Sequence, residues 1–244
     1  MCGRLTLKTP PDQWTQLLLP VIDSGVLWAD WQPRYNVAPT QRIVVIAGRQ
    51  GEFGSIQPGS SSEANSVELA KPHFTLQRWG LVPGWSSDLT IGSRMINARH
   101  ETLREKKSFI GPLKSRRCLI IADGYYEWQQ LDTGGKQPHW ISPAQGGLLQ
   151  LAGLWEVNSR ATGKPLETCT IITTAANSSL SSLHDRMPVV LDGAQAQGWM
   201  DAACQAEDAY ALLGPAADDV LQARAVGQYV NNARHEGAAC LATV

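Results

Sequence analysis

Short apolar runs rich in β-branched residues, separated by glycine and aspartate punctuation, recur along this chain and leave little room for long helices. Strand patterns cover Arg42–Ala47, His73–Val82, Cys118–Ala122, Tyr125–Gln130, His139–Ser142, Leu148–Val157 and Thr168–Thr174. Asp132–Gly135 (DTGG) reads as a hairpin turn between two of them. Helical spacing is confined to Pro11–Val21, where Trp14, Leu17, Leu18 and Val21 recur, to a basic stretch over Ala98–Lys107, and to Ala194–Cys204 and Glu207–Leu213. Many short strands with a few irregularly placed helices imply an α+β fold built on antiparallel or mixed sheet. Arg34–Pro39 reads as a loop, with Pro39 restricting its neighbour. From Gly48 to Lys71 the composition shifts to Gly, Ser, Glu, Gln and Asn, which reads as a flexible surface excursion. Apolar patterning resumes after it in the same style, so one domain is expected over residues 1–244.

A chain of 244 residues buries a sizeable core without disulfides or metal. Cys2, Cys118, Cys169, Cys204 and Cys240 are odd in number, far apart and without a CxxC pair, which argues against a disulfide framework and a structural zinc. No phosphate-binding glycine loop occurs, and neither metal nor cofactor is expected. A secretory pattern and an apolar run of membrane length are both missing from the sequence, so the expectation is a reducing, cytoplasmic compartment and no membrane partner.

The net charge of −1 conceals an uneven distribution. Arg94, Arg99, Arg104, Lys106, Lys107, Lys114, Arg116 and Arg117 face only Glu101 and Glu105 along their stretch, a local excess of about six positive charges. Between Asp192 and Asp219 no Lys or Arg occurs, while six carboxylates do. Binding follows the local field, so a nucleic-acid partner is compatible with the neutral total; a solvated helix face is the plainer account of Lys106–Lys107. Nine tryptophans serve core packing for the most part, with base stacking as the alternative use.

The chemistry starts at Met1-Cys2-Gly3-Arg4. Removal of Met1 would expose a 1,2-aminothiol, whose amine (pKa about 8) and thiol (about 8.5) are both nucleophilic near neutrality. Such a pair condenses with an aldehyde to an imine, and the sulfur then closes a five-membered thiazolidine. No internal cysteine can do this, because its nitrogen is an amide. The reaction needs an acid/base group, a proton donor for the electrophile and a polar orienter. Glu127, among aromatics in Gly124–Trp128 (GYYEW), is a candidate whose pKa desolvation would raise. His184 lies beside Asp185 and Arg186 ahead of a proline-led strand, and Asn97 stands at an expected helix start with Arg99 nearby. Each has a plain structural alternative: Asn97 as an N-cap, His184 as a satisfied structural histidine, Glu127 as a solvent-facing strand residue.

Together these motifs resemble the abasic-site-processing family, also called the SOS response-associated peptidase family. The matching pieces are Met1–Arg4 (MCGR), Arg34–Pro39 (RYNVAP), Trp79–Trp85 (WGLVPGW), Ile96–Arg99 (INAR) with Glu101–Thr102, Ala122–Trp128 (ADGYYEW), Thr173–Ala176 (TTAA) and His184–Pro188 (HDRMP). A weaker likeness continues through Arg224–Val226. The resemblance implies a curved, bifurcated sheet with short helices around it, and a partner that is single-stranded DNA containing abasic sites. It implies Cys2 as the crosslinking nucleophile, Glu127 in proton transfer and Met1 removal, His184 as the acid at the sugar ring oxygen, and Asn97 as orienter. Arg4, Asn36, Pro39, Trp85, Arg99, Thr174 and Arg186 would line the DNA path, with arginines meeting phosphates and the aromatic supporting a base. A monomer, self-removal of Met1 and a β-elimination side activity are further implications. Ser86 stands where some relatives carry a second aromatic, which weakens base stacking there. The competing readings are a peptidase acting on other proteins through a cysteine with His184 as base, and a non-covalent single-stranded nucleic-acid binder.

Overall fold

The computed structural model describes residues 2–14, 30–48 and 72–244. Leu17, Leu18 and Val21 of the expected first helix, and nearly all of the Gly48–Lys71 excursion, lie outside the described residues; Pro11–Gln13 form a short 3-10 turn ending at the buried Trp14. The strands in chain order are β1 Leu5–Leu7, β2 Arg34–Val37, β3 Arg42–Ala47, β4 His73–Trp79, β5 Asn97–Arg99, β6 Arg117–Ala122, β7 Gly124–Gln130, β8 Lys136–Pro143, β9 Leu149–Asn158, β10 Leu166–Ala175, β11 Arg186–Pro188 and β12 Leu221–Ala225.

Two sheets result. In the larger, β10 pairs with β4 on one side and β9 on the other, and β4–β3–β6–β9 run antiparallel between them, so five strands close into a ring. Beyond the β4 and β9 pairings, β10 continues along β5 in parallel and along β11 antiparallel. The smaller sheet has the order β12–β8–β7–β1–β2, antiparallel throughout. The mixed architecture is the α+β fold that the strand pattern implies.

Strand periodicity sorts the core. Along β3, Val44 and Ile46 turn to one side, Ile43, Val45 and Ala47 to the other. The first side, with Leu119, Ile121, Ala152, Leu154 and Ile172, is covered by helices. These are α1 (Lys107–Ser115) through Phe109 and Leu113, α2 (Gly193–Met200) through Ala196 and Trp199, and α3 (Ala206–Ala211) through Ala209. The second side joins Cys118, Ile120, Cys169 and Ile171 to Cys2, Leu5, Tyr125 and Ile141, which come from the start of the chain and the smaller sheet. Each fully buried aliphatic side chain contributes roughly 1.5–3 kcal/mol, so this shared cluster is what seats the smaller sheet on the ring.

Two expectations are corrected. Ala98–Lys107 is not helical: Asn97–Arg99 is drawn into β5 by parallel pairing with Ile171–Thr173, a 3-10 turn follows over His100–Thr102, and the helix begins at Lys107. Asn97 is therefore a strand residue and no helix start. Arg34–Val37 is no loop but β2, paired with β1. The cations of the basic run serve different ends. Arg117 is buried, its guanidinium donating to the carbonyls of Leu113, Lys114, Trp199, Asp201 and Cys204. It thereby fastens the C-terminal ends of α1 and α2 to β6. Arg104 pairs with Glu207 and Arg116 with Glu156, leaving Arg94, Arg99, Lys106, Lys107 and Lys114 exposed.

Candidate active site

The register of β1 on β7 sets Leu5 opposite Tyr125 and Thr6 opposite Gly124, and Tyr126 donates its N–H to the Arg4 carbonyl at 3.0 Å. Antiparallel pairing of this kind carries the chain start back along β7 toward Glu127. Asp123 fixes the other end of β1, accepting from the Lys8 and Thr9 backbone N–H groups and from the Thr9 hydroxyl. Cys2 is fully buried, and its carbonyl accepts a 2.8 Å hydrogen bond from the Asn97 amide. Asn97 can reach it because β5 lies alongside β10 at the border between the two sheets.

Glu127 is buried, 3% exposed, rather than facing solvent. Burial pushes its carboxyl up to about 7, with the Asp185 charge a smaller contribution in the same direction. A carboxyl with that pKa accepts or gives a proton with little bias near neutrality. Burial likewise pushes the Cys2 thiol well above its ordinary value, and the charge on Glu127 adds to the effect.

His184 closes the turn between β10 and β11. The Asn177 side chain accepts from the Leu180 N–H at 3.1 Å, and His184 donates its own N–H to the Leu180 carbonyl at 3.2 Å. Its Nδ1 lies 2.8 Å from the Asp185 carboxylate and 3.0 Å from the Arg186 N–H. Protonated, Nδ1 donates to Asp185; neutral, it accepts from Arg186 and leaves the proton on Nε2. Both forms are thus held, and burial lowers the ring's pKa from its usual value. Asn97 holds the Cys2 carbonyl, the pairing of β1 with β7 runs Cys2 toward Glu127, and the charge of Asp185, the neighbour of His184, raises the Glu127 carboxyl.

The seven residues expected along a DNA path divide. Trp85 is 58% exposed on a turn closed by Ser86 N–H to Pro83, and Arg99 projects into solvent from β5. Arg186 is held by both Glu101 carboxylate oxygens, at 2.6 and 2.9 Å, and by the Thr173 carbonyl. Thr174 is buried opposite Met187. Pro39 is half-buried in a turn whose next residue, Thr40, has φ 73°, a left-handed conformation that a β-branched residue adopts at a cost. Arg4 and Asn36 face inward. Arg4 donates to Asn36 Oδ1 at 2.6 Å and to the Val230 carbonyl, while the Asn36 amide donates to the carbonyls of Val230, Asn232 and His235. They tie the C-terminal segment to β1 and β2. The Glu101 clamp on Arg186 escaped the sequence reading, since 85 residues separate the two.

A family model described as SOS response associated peptidase (SRAP) matches residues 1–233. The chain belongs to the SRAP family. Among SRAP relatives, the abasic site processing protein YoaM of Bacillus subtilis is 38% identical over 242 residues, covering 99% of this chain and 97% of that protein. The abasic site processing protein HMCES of Gallus gallus is 34% identical over 241 residues, covering 88% of this chain and 67% of its own length. The crystal structure of a Bacteroides thetaiotaomicron protein shares the fold over the full length of both chains, with a TM-score of 0.79 at 20% identity. The crystal structure of a phage-related protein of Bordetella bronchiseptica matches with a TM-score of 0.67 at 28% identity, over 93% of this SRAP chain and 95% of that one. Among the described residues no cluster of His, Cys, Asp and Glu is arranged to hold a metal ion, and no helix is long and apolar enough to cross a membrane.

Proposed function

We propose that this protein processes abasic sites in DNA by linking Cys2, once Met1 has been removed, to the sugar aldehyde as a thiazolidine in single-stranded DNA. The observation that carries the reading is Glu127: a buried carboxyl held at about 7, beside a Cys2 whose carbonyl Asn97 holds in place. The names of the relatives YoaM and HMCES support the substrate class.

The steps follow from these groups. His184, through a ring proton, assists opening of the closed sugar by donating to its ring oxygen. The Glu127 carboxylate takes a proton from the Cys2 ammonium, and the free amine adds to the aldehyde carbon. Glu127 returns that proton to the departing hydroxyl, which leaves as water, and an imine results. The Cys2 sulfur then bonds to the same carbon. Before this sequence, the Met1–Cys2 amide must be hydrolysed, a step for which Glu127 is the adjacent general base; its extension to other peptides has no supporting feature. Trp85 offers an exposed face for a base and Arg99 offers charge to phosphates, while Arg186 reaches the path only from its clamp on Glu101, with Pro39 and Thr174 lining it. Arg4 and Asn36 act here from behind, by holding β1 and β2 in place.

The test is denaturing electrophoresis after incubation with an oligonucleotide bearing one abasic site. Wild-type protein is expected to shift covalently on single strands, more slowly on duplex, and Cys2→Ala to give no shift. A shift of equal yield with Cys2→Ala would overturn the reading.

A further inference from the structure

Tyr125 is a second polar group on the same face of β7 as Glu127, two residues away along the strand. Its ring packs in the apolar cluster that contains Cys2, Leu5, Val37, Trp79 and Met187. It is 1% exposed, and among the described residues its hydroxyl has no hydrogen-bond partner. A buried O–H without a partner costs folding free energy, and phenylalanine would fill the same space without that cost. The neighbours whose charge the hydroxyl senses are the Cys2 sulfur first and Glu127 second. An unused donor is therefore buried in the same cluster as the sulfur, whose ionised form the surroundings otherwise disfavour.

We propose that the Tyr125 hydroxyl donates a hydrogen bond to the Cys2 sulfur as it becomes a thiolate, and so speeds closure of the thiazolidine ring. The inference rests on the crosslinking reading above. In the closing step the Sγ proton passes to the Glu127 carboxylate, an Sγ–C bond forms at the former aldehyde carbon, and the π pair of the protonated imine moves to nitrogen. A neutral ring amine is left, and Tyr125 keeps its own proton. The hydrogen bond is made when negative charge appears on sulfur, so it acts on that step and not on imine formation.

The test is Tyr125→Phe in the full chain with Met1 removed, using two probes: abasic single-stranded DNA and the small aldehyde glycolaldehyde. Borohydride quenching separates the reducible open imine from the closed ring. With both probes, ring closure is expected to slow on the order of 10-fold or more, the worth of a hydrogen bond to a charged group, while the imine forms at the wild-type rate. The pH profile for closure should move upward, and the melting temperature should stay level or rise, because an unpaired hydroxyl has been removed. Unchanged closure in the variant overturns the proposal, as does slower closure accompanied by a lowered melting temperature. If wild-type protein closes a ring on glycolaldehyde but links to no DNA, the substrate reading fails while the role of Tyr125 is still decided by the small probe. Wild-type protein that closes no ring on either probe overturns both.

Discussion

Glu127 carries a cost that the proposed chemistry requires. Its folded-state pKa of about 7 lies above the ordinary 4.5, so the ionised form is the one penalised by burial. Between those two values the folded chain binds more protons than the unfolded chain, and stability falls as pH rises through that window. Below about 4.5 the penalty is absent, and above about 7 it is complete, at roughly 3 kcal/mol. Glu127→Gln removes the charge and keeps the shape. The variant is expected to crosslink about 100-fold more slowly or worse, and to lack the decline in rate expected of wild type below pH 7. It should also unfold at higher urea than wild type at pH 8, with the advantage vanishing near pH 4.5. Equal rates, or a less stable variant at pH 8, would contradict the assignment. At this scale the proposed site was legible: Cys2, Glu127 and His184 are singled out by what aldehyde chemistry would demand of a terminal aminothiol. Tyr125 was not, because whether a buried hydroxyl finds a partner is a fact of three dimensions.

Strand β7 places these groups, and its entry point is tight. A Cβ on Gly124 would lie 2.5 Å from the Ile141 carbonyl oxygen and 2.7 Å from Trp140 Nε1, both on β8. The glycine is there for close approach of two strands. Gly124→Ala forces β7 and β8 apart just before Tyr125 and Glu127, at a cost of about 1–3 kcal/mol. Urea titration should show the lowered midpoint, and crosslinking should fall with it; wild-type stability would contradict the packing described. The strands read correctly from the sequence are the ones with several β-branched residues in a row, such as β3, whose bounds match the apolar run Arg42–Ala47. Those missed, β1, β2, β5 and β12, have three to five residues. They are strands because of partners far away in the chain: β1 joins β7 across some 120 residues, and Asn97–Arg99 is extended because β10 offers it an edge. Local propensity carries no trace of such pairing.

Across the whole molecule, charge and fold are coupled in ways composition conceals. The excess of cations over Arg94–Arg117 is real in the sequence, yet Arg117 serves as an internal clasp and Arg104 and Arg116 are matched by Glu207 and Glu156. What remains exposed is Arg94 and Arg99, before and on β5, and Lys106, Lys107 and Lys114 at and along α1. Residues of both sheets share the cluster that contains Cys2, so the proposed nucleophile is anchored by packing that joins the sheets. The α+β class was legible from the run of short strand patterns, and the family fold entered only through the resemblance that the motifs carry; the closure of five strands into a ring was not legible, since it depends on β10 pairing on both sides.

Intact-mass measurement of the full-length protein, before and after addition of an abasic single-stranded oligonucleotide, tests the terminal aminothiol most directly. The account predicts a chain lighter by one methionine residue, which then gains the oligonucleotide mass less one water without any reducing agent. A crosslinked species that still carries Met1, or the same adduct on Cys2→Ala, would contradict it.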